Sequence, residues 1–333
     1  MGAVTRMTKH GPLVSVIIPT HNRPNLVTKA VASVVAQTYR PIEIIIIDDA
    51  SDDPVSANWF KAEWKDISLS IHCNDISKGV AAARNSGINK SKGRYIAFLD
   101  DDDQWLPDKL AIQIDTLNRH GSPQVRGVFC QMIIEDEHGK EIGRTSFPPS
   151  AETIRQSMIC GDGNVPPQTI LVERDTFRTV GFFDEQMPSF EDRQWALRYL
   201  SLFEMILVDN YLVRYLEHPA PRLTINSDAM LSGELAYTKF IQNYLKTRGV
   251  SNKNNIGKAM GYRYSKLGNE YMLAGQIRAG LTSFLHAITL NPIEFRAWAG
   301  FIIGLGGVRF YGKIMAHRML RVRLAKISGK KRN

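Results

Sequence analysis

A chain of 333 residues that is 44% hydrophobic is long enough to bury one large core, or one core and an appendage. Its three cysteines, Cys73, Cys130 and Cys160, lie far apart with no CxxC or Cys/His cluster, which excludes a disulfide framework and a structural zinc and suits a reducing, cytoplasmic compartment. The net charge of +9 belongs to the end of the chain, where Arg309 to Asn333 holds nine Lys or Arg and no acid; the basic face with aromatic platforms that a nucleic acid would need is not displayed.

The amino terminus, MGAVTRMTKHGP, has no apolar run before the first strand, so no signal peptide is expected. Arg6 stands where a myristoylation signal wants Ser or Thr. Leu13 to Ile18 reads as a strand, ended by Pro19-Thr20-His21-Asn22-Arg23-Pro24. A helix follows, with Leu26, Ala30 and Val34 on one stripe, Val27, Val31 and Val35 beside it, and Pro24 in its first turn. This turn has no glycine, which argues against a dinucleotide fold of the GxGxxG type. Ile42 to Ile47 is a second strand, and its unbroken apolar run implies burial on both faces, hence a parallel sheet flanked by helices. It ends in Asp48-Asp49-Ala50-Ser51-Asp52. Ligands of such sheets bind beyond the carboxyl ends of strands, so Asp49 is a candidate site residue. An Asx-turn or a helix cap is its alternative reading. Leu69 to Cys73 gives a third strand, and Val80 to Ile88 a helix with Arg84 near its middle. Beside a diphosphate site the planar fork of Arg84 would match phosphate oxygens; elsewhere it would be a surface residue.

Tyr95 to Leu99 is the next buried strand, and it delivers the four carboxylates of Asp100, Asp101, Asp102 and Asp103 to a loop that Gln104-Trp105-Leu106-Pro107 turns back to the core. Adjacent carboxylates repel by roughly 1 kcal/mol per pair even in bulk water, and more in a cleft, unless a cation sits among them. Mg²⁺ or Mn²⁺ is the natural counter-charge, and such ions also hold phosphates. The reading is a metal-diphosphate site at a strand end, against the alternative of a solvated acidic turn. A calcium helix-loop-helix site fits poorly, because Trp105 and Ala111 occupy the positions that need Gly and Glu. An aspartyl-phosphate enzyme would use Asp100 and Asp102, but Gln104 stands where Thr or Val belongs.

Residues 125 to 134 form a strand, and 135 to 163 read as polar connections rich in Gly, Pro and Ser. Thr169 to Val172 is a short strand, and Glu173-Arg174-Asp175 opens a helical turn. A helix starts at Phe190-Glu191-Asp192 with Trp195, Leu197 and Leu200 inward; acids in a first turn are favoured by the helix dipole. Met205 to Tyr215 returns to the sheet and leads to His218-Pro219. From Ala229 to Ile293 the period is helical, and YMLAGQIRAGLTSFLHAITLNP resembles a single helix-pair repeat, too few for a solenoid. Ala297 to Val308, AWAGFIIGLGGV, is uncharged but shorter than the roughly 20 residues a bilayer crossing takes. With the basic tail it reads either as an interfacial anchor or as a buried helix with a disordered tail.

Taken together, VSVIIPTHNR, EIIIIDDASDD, GVAAARNSGINKSKGRYIAFLDDDDQWLPDKL and SFEDRQWALR resemble the inverting family-2 glycosyltransferases, over residues of about 13 to 220. The resemblance implies an α/β GT-A fold with a central, mostly parallel sheet followed by a helical C-terminal region. The expected division is a catalytic domain over 1–225, with a nucleotide-binding half at 13–105 and an acceptor half at 106–225, then helices over 226–308 and a basic tail over 309–333. It further implies that Pro19, Thr20, His21 and Arg23 line the nucleotide pocket, that Asp49 meets the base, and that Arg84 lies close to the nucleotide. Asp100 and Asp102 would form the D-x-D motif, with Asp102 the principal metal ligand and Asp100 nearer the ribose. The chain departs from the usual pattern in carrying Asp at both neighbouring positions as well, and Asp101 is placed with the nucleotide-binding residues. Asp192 falls where these enzymes keep the catalytic base. Glu191 and Trp105 are assigned to the acceptor side, His218 is a further metal candidate, and Arg222 a weaker site residue.

The function so implied is metal-dependent, inverting transfer of a sugar from a nucleoside diphosphate, with uridine the first choice of base, to a glycan or lipid-linked acceptor hydroxyl. Cell-surface polysaccharide, lipopolysaccharide or glycolipid synthesis is the setting, in the cytoplasm or peripheral on the inner face of the membrane through residues 297–333. The rival readings are a nucleotidyltransferase, which would carry a Gly-rich turn after its first strand, and a non-catalytic binding protein.

Overall fold

A computed structural model describes residues 9–60, 64–217 and 227–314. His218, Arg222 and the tail from 315 onward lie outside the described residues, as does the beginning of the chain. Two compact units are present: Met1–Ile154, Val165–Glu185 and Trp195–His218 form the first; Arg155–Asn164, Gln186–Gln194 and Pro219–Asn333 form the second.

The first unit is built on a nine-stranded sheet among the described residues, in the order β3 (Ile67–Cys73), β2 (Tyr39–Asp48), β1 (Lys9–Thr20), β4 (Tyr95–Phe98), β8 (Leu171–Glu173), β6 (Val125–Asp136), β9 (Glu204–Glu217), β5 (Gln104–Trp105), with β7 (Glu141–Arg144) paired to β6. Its first half comprises β1 (Lys9–Thr20), α1 (Pro24–Val35), β2 (Tyr39–Asp48), β3 (Ile67–Cys73), α2 (Val80–Lys90) and β4 (Tyr95–Phe98). Strands β3, β2, β1 and β4 are mutually parallel. Ile44 to Ile47 are all buried, as the unbroken β-branched run requires of a strand covered on both faces. In α1, Val27, Ala30, Val31 and Val34 form the buried stripe. In α2, a side chain in place of Gly87 would collide with Ile17, so that glycine sets how closely the helix approaches β1.

The chain continues through β5 (Gln104–Trp105), α3 (Lys109–His120), β6 (Val125–Asp136), β7 (Glu141–Arg144), α4 (Ala151–Cys160), β8 (Leu171–Glu173), α5 (Thr176–Val180), α6 (Glu191–Tyr199) and β9 (Glu204–Glu217). β8 runs antiparallel to both its neighbours, and β9 is parallel to β6. The stretch 135–163, expected as connections, contains the β6–β7 hairpin and α4. The hairpin turn is closed by Asp136, whose carboxylate accepts from the backbone N–H of His138 and Lys140.

The second unit carries α7 (Ser227–Thr247), α8 (Lys253–Leu273), α9 (Ile277–Leu290) and α10 (Phe295–Gly304). On α8, side chains at Gly261 or Gly268 would strike Asn291 or Phe284, so small residues bring this helix close to α9 and the turn after it. The core of this unit holds Arg263, which is wholly buried. Its guanidinium donates to Glu234 at 3.4 Å and to the Gly161 carbonyl, and rests against the rings of Tyr237 and Tyr262 at 5.3 and 4.6 Å. Compared with the expected boundary at 225, this unit also takes in 155–164 and 186–194. No helix among the described residues is long and apolar enough to cross a membrane.

Candidate active site

Parallel pairing brings the carboxyl ends of β2, β1 and β4 side by side, with Thr20 in register with Asp48 and Ile17 with Phe98. The loops that follow carry most of the site residues named from the sequence. They are joined to one another. The Asn22 backbone N–H donates to the Ser51 hydroxyl at 2.8 Å, and the Asn22 side chain accepts from the Asp52 N–H at 2.7 Å. His21 Nδ1 lies 2.8 Å from the Asp49 carbonyl oxygen. Asn22 and Ala50 both have positive φ, 55° and 64°, a conformation costing of order 1–3 kcal/mol that clusters at ligand sites.

The four carboxylates alternate. Asp101 and Asp103 turn into the protein and are buried, while Asp100 and Asp102 are partly exposed. Asp101 accepts from the Thr20 hydroxyl at 2.7 Å and from Arg23 at 2.9 Å; Asp103 accepts from the Leu216 N–H at 3.2 Å. Arg23 also reaches Asp102 at 3.1 Å, and Arg84 donates to Asp100 at 2.8 Å. The cations that the acidic run demanded are therefore, in the chain itself, two guanidinium groups. Burial pushes the Asp101 carboxyl up to about 6, with Arg23 and Thr20 pulling against it and Asp102 adding to it. Arg84 is itself buried, rests against the ring of Phe183 at 5.6 Å, and Phe183 in turn stacks on Trp195 at 5.2 Å.

Asp49 fastens the turn after β2 to the segment ahead of α2. Its two oxygens accept from Asn74 Nδ2, the Ser77 hydroxyl and the backbone N–H groups of Lys78 and Gly79, at 2.8–3.0 Å. Burial raises its pKa, but these donors outweigh burial and hold the carboxyl below its usual range. The result is a fixed loop ahead of α2, with Gly79 at φ 86° as the residue that lets the helix start.

Trp105, expected on the acceptor side, is instead a core residue. It is 3% exposed, donates Nε1–H to the Gln168 carbonyl at 3.0 Å, and lies beneath the Lys109 ammonium at 4.0 Å from the ring centroid. Lys109 is fully buried, donates to Gln113 at 2.8 Å, and is pushed down to about 8 by that burial. This polar cluster under the acidic loop carried no signal in the sequence, since Lys and Gln at inward positions break the apolar period.

Asp192 and Glu191 belong to the second unit, in the first turn of α6. Phe190, just before them, has φ 68°, a rare value for a bulky residue. One Asp192 oxygen accepts from Asn164 Nδ2 at 3.0 Å and the other from the Arg193 N–H at 2.6 Å. Asn164 lies 28 residues upstream in a turn-rich stretch, and only the fold could reveal it. Glu191 is buried. His218 and Arg222 cannot be placed, being outside the described residues.

A family model described as glycosyl transferase family 2 matches residues 15–178. WfaP of Escherichia coli, a UDP-Glc:alpha-D-GlcNAc-diphosphoundecaprenol beta-1,3-glucosyltransferase, is 33% identical over 186 residues, which cover 56% of this chain and 68% of WfaP. The chain belongs to glycosyltransferase family 2. Among solved structures, Staphylococcus aureus TarS 1–349 in complex with UDP-GlcNAc is similar with a TM-score of 0.57 at 16% identity, covering 90% of this chain and 89% of that one. The mannosyltransferase PcManGT of Pyrobaculum calidifontis, in complex with GDP-Man and Mn²⁺, gives a TM-score of 0.51 at 15% identity, covering 95% and 83%. The fold is of the GT-A type, and the protein is an enzyme of the glycosyltransferase class acting on a nucleotide sugar.

Proposed function

We propose that this enzyme transfers a sugar with inversion from a nucleoside-diphosphate donor, UDP-linked in the first instance, to a hydroxyl of a lipid-linked or glycan acceptor during cell-envelope polysaccharide synthesis. The observation that carries the reading is the joining of three strand-end loops in the first unit: Thr20 and Arg23 are bonded to Asp101, Arg23 also to Asp102, Arg84 to Asp100, and Asn22 to Ser51 and Asp52. WfaP's name, with its UDP-glucose donor and diphosphoundecaprenol-linked acceptor, supports the choice of both substrates, as does the UDP-GlcNAc bound by TarS. Such an acceptor would put the enzyme at the cytoplasmic face of the membrane.

The exposed carboxylates fit a hard divalent ion of the Mg²⁺ or Mn²⁺ kind, which takes one or two carboxylates and completes its shell with phosphate oxygens and water. Among the described residues no group of three or more His, Cys, Asp or Glu is placed to hold a metal ion, so the ligands proposed from the protein are the two carboxylates alone. Asp102 would be its main ligand and Asp100 the neighbour nearer the ribose. When bound, the ion would offset the charge gathering on the departing diphosphate. Arg23 and Arg84 can turn their forks from carboxylate to phosphate oxygens. Pro19 and His21 would flank the nucleotide, and Asp49 would set the pocket wall that meets the base. Asp192 would accept the acceptor hydroxyl proton as its oxygen attacks the anomeric carbon. Glu191 would lie on the acceptor side.

The test is release of nucleoside diphosphate from a panel of nucleotide sugars with and without Mn²⁺, for the wild type and Asp102→Ala. Metal-dependent release by the wild type, lost together with Mn²⁺-dependent donor binding in the variant, is expected. Full turnover by Asp102→Ala in Mn²⁺ would reduce the loop to an internal ion-pair cluster.

A further inference from the structure

Helix α10 buries Ala297, Gly300 and Gly304, and its Phe301 and Ile303 pack against the core of Met272, Phe284 and Tyr311. Its other large apolar side chains are exposed. Phe295, Trp298 and Ile302, with Leu305 just beyond, are spaced by three and four and make one stripe; Ile293 precedes it and Phe310 follows. All six are between 44% and 80% exposed, and they are half of the twelve exposed large apolar residues found among the described residues. Isolated exposed leucines are ordinary; six within eighteen residues are a patch. The Trp298 indole N–H donates to the Pro292 carbonyl at 2.8 Å, so the ring can leave water without stranding its one donor.

We infer that this stripe is a lipid-docking face, seated in the interface of a bilayer with anionic headgroups. Charge selects that occupant. From Tyr271 to Ile314 the only acid is Glu294, which accepts from the Arg296 N–H at the start of α10, against Arg278, Arg296, Arg309 and Lys313. Residues 315–333 add seven more Lys or Arg and no acid. A second copy docked symmetrically on this face would bring two such cationic segments together, whereas an anionic surface attracts both. The ten residues of α10 rise about 15 Å, half the roughly 30 Å hydrocarbon core, so the helix lies in the interface and does not cross. This placement goes beyond the reaction proposed above, and its assay needs no turnover.

Full-length protein is to be co-sedimented with phosphatidylcholine vesicles, with and without phosphatidylglycerol, across a salt series. Binding to the anionic vesicles is expected, with one part that salt removes and one part that it does not. Phe295→Ser with Ile302→Ser should lower the salt-resistant partitioning by about a hundredfold, roughly tenfold per large side chain withdrawn from lipid. A second pair, Leu305→Ser with Phe310→Ser, reads the same loss should the first variant melt early by circular dichroism. Replacing the Lys and Arg of 315–333 by Gln should remove the salt-sensitive part alone. Wild-type partitioning of both serine pairs at high salt overturns the inference. So does failure of the full chain to bind anionic vesicles at low salt, or light scattering that shows a dimer which the serine pairs convert to monomer.

Discussion

The sheet unit sets Arg23 and Arg84 against the acidic loop, each pair with one partner still 26–28% exposed, while the helical unit buries Arg263 and Glu234 to 0% and 2%. The chemistry of the pairs is the same, and what separates them is access to water. A fully buried pair cannot change partners without stranding a charge, so it acts as a fixed joint, here between α7, α8 and the 161–164 turn. When Arg84 leaves Asp100 for a phosphate, the carboxylate released is 28% exposed and water covers it; Arg23 is itself 26% exposed, while the Asp101 carboxylate it holds is buried. Exposure, more than residue type, divides the structural pairs from the ones suited to a substrate.

The largest effect expected from this division lies at a carboxylate that belongs to neither set of pairs. Asp192 is held by an amide and a backbone N–H and stays partly exposed. Asp192→Asn keeps its shape and removes its basicity, so turnover should fall by about 10² to 10⁴ while donor binding by calorimetry is unchanged. Near-normal turnover would leave Asp192 as a helix-start residue only.

Next in size is the buried joint. Arg263→Met leaves Glu234 without its cation, and burial already pushes that carboxyl up, with Arg263 the leading opposing charge. A loss of about 3–5 kcal/mol in urea unfolding is expected, with part recovered by adding Glu234→Gln. A loss below 1 kcal/mol would erase the contrast between the two units.

Asp101 sits between these extremes and sharpens the comparison through pH. Its folded carboxyl, at about 6 because burial outweighs Arg23 and Thr20, keeps a proton that the unfolded chain gives up near 3.8. Its contribution to stability is therefore complete below about pH 4 and is lost as pH rises toward 6 and beyond. Asp101→Asn stays neutral throughout, so between pH 4 and 7 the variant should gain on the wild type by on the order of 3 kcal/mol. Unfolding curves whose difference does not change with pH would mean that the Arg23 and Thr20 contacts hold Asp101 ionised.

The strands that build the site were legible because they are buried on both faces: Val14 to Ile18 and Ile42 to Ile47 leave no other reading. The run of aspartates announced a charged site, yet the division into outward Asp100 and Asp102 and inward Asp101 and Asp103 depends on a backbone path that composition does not carry. α3 was hidden for a different reason. Lys109 and Gln113 occupy buried positions where a helix pattern calls for apolar residues, and they are tolerable there only because Trp105 and the Thr169 carbonyl receive them. Nor could any spacing rule link Asn164 to Asp192, or assign 155–164 and 186–194 to the helical unit.

The ties between the loops after β1 and β2 bear on how the donor binds. With Asn22 fastened to Ser51 and Asp52, and Asp49 to the segment 74–79, these turns were ordered when the chain folded. Ordering a residue costs roughly 1–2 kcal/mol of conformational entropy, and a pocket that is already set spares the incoming nucleotide that loss over several residues at once. Donor affinity in this part of the site should thus follow the hydrogen bonds and packing that the nucleotide itself makes there, with little of it lost to freezing the wall.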